Sequence, residues 1–468
     1  MRRKISDAPA FNFEGATLMA RTLDRTKPPE TPPIPSYKMP PVHQTRLPNG
    51  LTVVLVEEVR FPLVNIRLSF QAGTKFDPED LPGLAEAVAS LLMQGTRTRS
   101  FRDLAEELSS IGATLRGYAT PDVLTLTGTV LSENAPKLLD LLADVALQAN
   151  FPENEVQLRR QNRKQSLLVQ RSQPSFLAEE MFDEVIFGRH PYAHIAPTIE
   201  SLDCMDQNSL VRFRDTFLAP NNAVLTLVGR LPAPAQTKKL TADRFGSWEQ
   251  RPLPSAPAKK FPESERRLVL VDRPHSVQAD IHLGRLAATR TDPDYYPLLV
   301  GNTILGGGAS SRLFVDVREE KGFAYDAHSE LDRRRDAGVF AAVTQVRTEV
   351  VEPAIEAVVD NLSRMAAAPV TAAELSDTKN FMSGQFLISL ETQASLADQV
   401  DLVQTMGLPE DYLETFTARV RSVNADQIRA AAQKYFLPDR AAIVVVGDAS
   451  KIQKTLEKFG EVQVESPK

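Results

Sequence analysis

Cysteine is almost missing from this sequence: 468 residues hold one, Cys204. No intrachain disulfide and no cysteine-based zinc site can form from it, and Cys204 reads as a small side chain near a helix start. Long apolar runs are missing too. No stretch of 18 or more apolar residues occurs, so no membrane-spanning helix is expected. The opening MRRKISDAPAFNFEGATLMARTLDRTK carries early positive charge without a continuous apolar core, and no convincing signal peptide is read there. Cysteine poverty fits cytoplasm and periplasm alike. An excess of positive charge is also lacking. With a formal net charge of -6 there is no pervasive basic surface to release phosphate counterions, which argues against a nucleic-acid partner. Histidine is sparse: there are six, and none lies between His43 and His190.

The length is too great for one ordinary core and points to several domains, and the composition is that of a globular chain. Residues 1–41 read as a tail. Its stretch KPPETPPIPSYKMPP holds seven prolines in fifteen residues and is expected as an extended polyproline segment. Asn49-Gly50 then signals a hairpin between apolar segments. Helical patterning follows over 83–94 and, after the Ser100 cap, over 101–111, with a strand at 120–131 and a helix over 133–148. Strand pairs alternating with long helices predict an α+β architecture, helices laid against antiparallel or mixed sheets.

The second half repeats the first. RLVLVDRPHSVQADIHL (267–283) parallels TVVLVEEVRFPLVNIRL (52–68), and IRAAAQKYFLPDRAAIVVVG (428–447) parallels LVRFRDTFLAPNNAVLTLVG (210–229). Two matching blocks in the same order, at nearly the same offset, indicate a tandem duplication of a unit of about 200 residues. The expected organisation is a first domain at 42–230, a proline-rich linker at 231–265, and a second domain at 266–468.

A duplicated unit that opens with LPNGL, ends in FLAPNNAVLTLVG, and contains His190-Pro191-Tyr192 and SSRLFVDVREEKGFAY resembles the pitrilysin/insulinase/processing-peptidase family, the inverzincins. The resemblance covers roughly 42–448 and implies a clam-like chain of two homologous halves. Active members carry H-x-x-E-H on a helix of the first half. Two histidines four apart share one helical face and can bind one Zn²⁺, while the intervening glutamate activates the metal-bound water. Here the matching segment is GLAEAVASLLMQGT (83–96): the ligand positions are Glu86 and Ser90, and the base position is Ala89. The third ligand, a glutamate on a later helix, matches Ser166 or Leu167 within a window (157–174) free of carboxylates. No catalytic zinc is expected in this chain.

The resemblance further implies an arginine and a tyrosine, seven apart in the second half, directed at the scissile peptide. Arg318 and Tyr325 keep that spacing, with Gly322 expected to end the helix and Tyr325 to start a strand. A phenol and a guanidinium can both stabilise the carbonyl oxygen of an amide under attack. Gly306, Gly307 and Gly308 occupy the place of a substrate loop in the processing peptidases, or else serve a tight helix passage; no phosphate-loop lysine accompanies them. Gly117-Tyr118-Ala119-Thr120 resembles the family's substrate-pairing edge strand, with glycine where asparagine is usual. His190 and His194 read as a structural loop, and the run Asp332-Arg333-Arg334-Arg335-Asp336 as a solvated turn. The resemblance thus implies a zinc-less subunit that acts with a homologous H-x-x-E-H partner, where the zinc would reside, on unfolded peptides. The alternative is a non-catalytic scaffold or peptide-binding protein of the same fold.

Overall fold

The computed structural model describes residues 37–255, 261–263 and 265–468; most of the expected proline-rich tail lies outside them. The first half runs β1 (Val42–Arg46), β2 (Thr52–Glu57), β3 (Leu63–Phe70), α1 (Leu84–Leu91), α2 (Phe101–Ser110), β4 (Thr114–Ala119) and β5 (Leu124–Leu131). It continues with α3 (Ala135–Gln148), α4 (Glu153–Arg171), α5 (Pro174–Phe187), α6 (Ile199–Cys204), α7 (Gln207–Phe217), β6 (Ala223–Gly229) and α8 (Pro234–Phe245). The second half has β7 (Arg267–Asp272), β8 (Gln278–Ala287), α9 (Tyr295–Gly306), a π-helix (Phe314–Glu320), β9 (Ala324–Arg333) and β10 (Gly338–Arg347). It ends with α10 (Val351–Ala367), α11 (Ala372–Ile388), α12 (Gln393–Met406), α13 (Tyr412–Ser422), α14 (Ala425–Tyr435), β11 (Ala442–Gly447), α15 (Ala449–Leu456) and β12 (Val462–Glu465).

Two six-stranded mixed sheets result, ordered β1-β2-β6-β3-β5-β4 and β12-β7-β11-β8-β10-β9. Five strands correspond in order, as the duplication requires. The first edge differs: β1 runs antiparallel to β2, whereas β12 returns from the carboxyl end and runs parallel to β7. The apolar run of β2 has a simple cause. Alternate strand residues point to opposite faces. Val53 and Leu55 enter the first-half core, while Val54 and Val56 pack in the cluster that contains Leu396, Val400 and Val403 of the second half. Both faces are covered, so no polar alternation appears.

The covering helices are exchanged. From the first half, α5 lies on the second sheet, with Phe182, Ile186 and Phe187 against Val269, Val339 and Val444. Its counterpart α12, from the second half, lies on β3 and β6 of the first sheet. Each fully buried Leu, Ile or Phe contributes about 1.5–3 kcal/mol. The apolar residues of the two helices therefore outweigh any one ion pair in joining the halves.

One expectation is revised. The segment 231–265 is not a linker throughout: Pro234 starts α8, a favoured place for proline, and Phe245 and Trp248 are buried in the first-half core. Cys204 is exposed on the last turn of α6, close to the start of α7 as expected.

Polar groups are buried at the same junction. Ser69 donates to Asp401 at 2.7 Å, Thr226 donates to its other oxygen at 3.4 Å, and Arg67 pairs with Asp398 at 2.7 Å. Burial pushes the Asp401 carboxyl up to about 6, against the pull of Ser69 and Arg67. A raised pKa means that the folded chain binds this proton more tightly than the unfolded one. The Asp401 contribution is thus full below the ordinary aspartate range and is lost as pH rises through about 6. The wild type should gain about 1.4 kcal/mol on Asp401→Asn between pH 7.5 and pH 5. Urea unfolding of both proteins at the two pH values measures the change.

Candidate functional site

In the first half, Gly83 caps α1 in a left-handed conformation, and Asp77 accepts from the Gly83 and Ala85 amides at 2.7 and 2.8 Å. Burial pushes the Asp77 carboxyl up to about 8 despite these bonds. The helix so fixed presents Glu86 and Ser90 one turn apart. Glu86 meets Arg163 of α4 at 3.6 Å, and the Ser90 hydroxyl donates back to the Ala87 carbonyl at 3.0 Å. Ala89 is fully buried. On α4, Leu167 is buried in the core and Ser166 faces solvent. These side chains do not fit a zinc ion: one carboxylate, already beside a guanidinium, stands where three ligands and a base would be needed. Among the described residues no group of three or more His, Cys, Asp and Glu side chains is placed to hold a metal.

Gly117 lies on β4, the edge strand of the first sheet. A Cβ there would meet the Ala89 carbonyl oxygen at 2.2 Å. The strand sits on α1 so closely that only glycine fits, which accounts for the departure from asparagine. Gly117→Ala should therefore cost about 1–3 kcal/mol through forced separation of β4 from α1, read as a lowered urea midpoint.

The second half places Arg318 and Tyr325 together. Arg318 lies in the π-helix, where the Lys321 amide donates to the Asp316 carbonyl five residues back at 3.1 Å. Gly322, at φ 62°, ends this helix, and β9 begins two residues later. π-helical turns are rare and concentrate at functional sites. The Arg318 guanidinium lies 4.9 Å from the Tyr325 ring centroid and 4.4 Å from that of Phe314. Tyr325 is 85% exposed on an edge strand. Among the described residues Arg318 makes no hydrogen bond or ion pair, so its N–H edge is available to a ligand. This pair can supply donors to a carbonyl or carboxylate. It has no general base and no nucleophile.

The comparisons bear on this division. Residues 52–195 match the family described as "Insulinase (Peptidase family M16)", and residues 205–382 match "Peptidase M16 inactive domain". Together the two matches span more than half of the sequence. The chain belongs to the M16 peptidase family. A solved M16 inactive domain from Pseudomonas fluorescens superposes with a TM-score of 0.82 at 26% identity, covering 87% of this chain and 98% of that one. An uncharacterised zinc protease of Bacillus subtilis is 24% identical over 85% of this chain and 96% of its own length. A probable mitochondrial-processing peptidase subunit beta of Arabidopsis thaliana is 23% identical over 87% of this chain and 78% of its own length.

Within this M16 fold the glycine-rich segment divides. A Cβ on Gly306 would meet the Ser329 amide nitrogen at 2.0 Å, and one on Gly307 the Thr303 Cα at 2.6 Å, whereas Gly308 borders open space. Packing of α9 against β9 accounts for Gly306, and the tight exit of the chain over the last turn of α9 accounts for Gly307. His190 caps a tight turn by accepting from the Tyr192 amide at 3.2 Å, and it stacks on Phe261. The charged run 332–336 departs from a solvated turn. Arg334 is largely buried, pairs with Asp183 at 2.5 Å, and stacks on Phe187 and Tyr192. It also borders a cavity of about 200 Å³ that Glu86 lines from the opposite half.

Residue-by-residue reading missed three contributors. Arg163 had a signal, since the window that should hold a glutamate is instead rich in arginine and lysine. Phe314 had one too, four residues before Arg318. Asp77 had none, because its role depends on how the loop before α1 folds back.

Proposed function

We propose that this chain is the zinc-free subunit of a two-subunit M16 metallopeptidase, and that Arg318 and Tyr325 act in trans on a peptide held by a homologous H-x-x-E-H partner. The observation that carries this reading is an asymmetry. The first half lacks the histidines and glutamates of the active pattern, while the second keeps a half-buried guanidinium beside an exposed phenol, neither hydrogen-bonded through its side chain among the described residues. Zinc in the partner would supply the activated water. Arg318 and Tyr325 would donate to the scissile carbonyl as negative charge grows on its oxygen, an interaction stronger in the transition state than in the substrate. Gly308 would lie on the substrate side of the same half.

The test is peptidase activity and zinc content of this chain, alone and mixed with the H-x-x-E-H homologue of the same source. The expected result is an inert, metal-free chain that forms a complex holding about one zinc and cleaving unfolded peptides. A chain that forms no complex and activates nothing would instead be a scaffold of the same fold.

A further inference from the structure

The Arg318 guanidinium lies over two rings, 4.4 Å from the centroid of Phe314 and 4.9 Å from that of Tyr325. Phe314 precedes Arg318 by one turn of the π-helix, so both side chains leave the same helical face. A guanidinium attracts aromatic faces on both sides of its plane and makes its hydrogen bonds around its edge. Ring contacts therefore restrict the rotamer freedom of a long side chain without using its hydrogen-bond donors, and Arg318 makes no hydrogen bond or ion pair among the described residues. Tyr325 alone cannot do this, being on an exposed edge strand with no hydrogen bond to its phenol among the described residues. Phe314 is the less exposed member: it is half-buried at the start of the π-helix, on a segment whose Leu313 and Val317 belong to the second-half core.

We propose that Phe314 is a positioning residue that presents Arg318 to the peptide carbonyl. This inference rests on the proposed trans role of Arg318, and it adds a residue that touches neither substrate nor metal. Removing the ring leaves the charge in place but lets it sample orientations that miss the carbonyl. The loss should fall on kcat with KM little changed.

The experiment is a double-mutant cycle in the reconstituted pair with the H-x-x-E-H homologue. Phe314→Leu is expected to lower kcat about three- to thirtyfold, the range of a partly desolvated cation–π contact. Phe314→Tyr, which keeps the ring, should stay within about twofold of wild type. In an Arg318→Ala background, Phe314→Leu should cost nothing further, because Phe314 acts only through Arg318. If Phe314→Leu does not assemble, Phe314→Met carries the same cycle. An Arg318→Ala loss with no Phe314 effect, or additive losses from the two sites, overturns the positioning role alone. An unchanged kcat/KM in Arg318→Ala overturns the trans-acting reading beneath it.

Discussion

Arg318→Ala in this chain should lower the kcat/KM of the assembled pair by about 100- to 1000-fold, although the chain has Glu86, Ala89 and Ser90 where the active pattern has H-x-x-E-H. The magnitude is that of one donor removed from a preorganised oxyanion site, about 2.7–4 kcal/mol. Tyr325→Phe should cost less, since it removes one neutral donor and keeps the ring beside Arg318. The folded chain should hardly register either change. Arg318 makes no hydrogen bond or ion pair among the described residues, and Tyr325 is 85% exposed. Thermal unfolding of the variants should therefore overlay the wild type, and gel filtration should show the same complex with the partner. Losses confined to KM would mean that the pair only binds peptide. Unchanged kinetics, with assembly intact, would end the trans-acting reading.

The legible parts of this chain are those written in local pattern. The duplication was readable from two apolar blocks at a nearly constant offset, and it reappears in five corresponding strands of each sheet. The departure from H-x-x-E-H was readable because a metal demands fixed residue types at fixed spacing, and Glu86, Ala89 and Ser90 are not those types. The exchange of α5 and α12 between the halves was hidden. A helix that covers a distant sheet has the same apolar face as one that covers its own. The π-helix was hidden for a related reason: FVDVREE satisfies an ordinary helical pattern, and no apolar spacing signals the wider turn that the Lys321 amide closes on the Asp316 carbonyl. Charge was misread at Arg334, where polar sequence concealed burial.

That misreading locates the residue whose loss should most damage folding. Arg334→Ala should destabilise the chain by about 3–5 kcal/mol, the cost of leaving a buried charge without its partner. Asp183, 5% exposed, accepts from Arg334 at 2.5 Å, and burial already pushes its carboxyl up to about 6 against that pull. Arg334 also donates to the Tyr192 carbonyl at 2.7 Å. Close by, Lys75 bridges Asp122 and Asp336 at 2.9 Å each, and the Tyr192 hydroxyl donates to Asp122 at 2.5 Å. The turn of the second half is thereby bolted into the first by groups that have little access to water. Without Arg334 the Asp183 pKa must rise further, so the variant binds a proton near neutrality that the wild type binds only at lower pH. The deficit should consequently shrink as pH falls from 8 to 6, and Asp183→Asn in the Arg334→Ala background should recover part of it. Urea unfolding of the single and double variants at both pH values measures this. A deficit below about 1 kcal/mol at pH 8 would place the pair among surface salt bridges, and would mean that the apolar contacts of α5 and α12 join the halves without it.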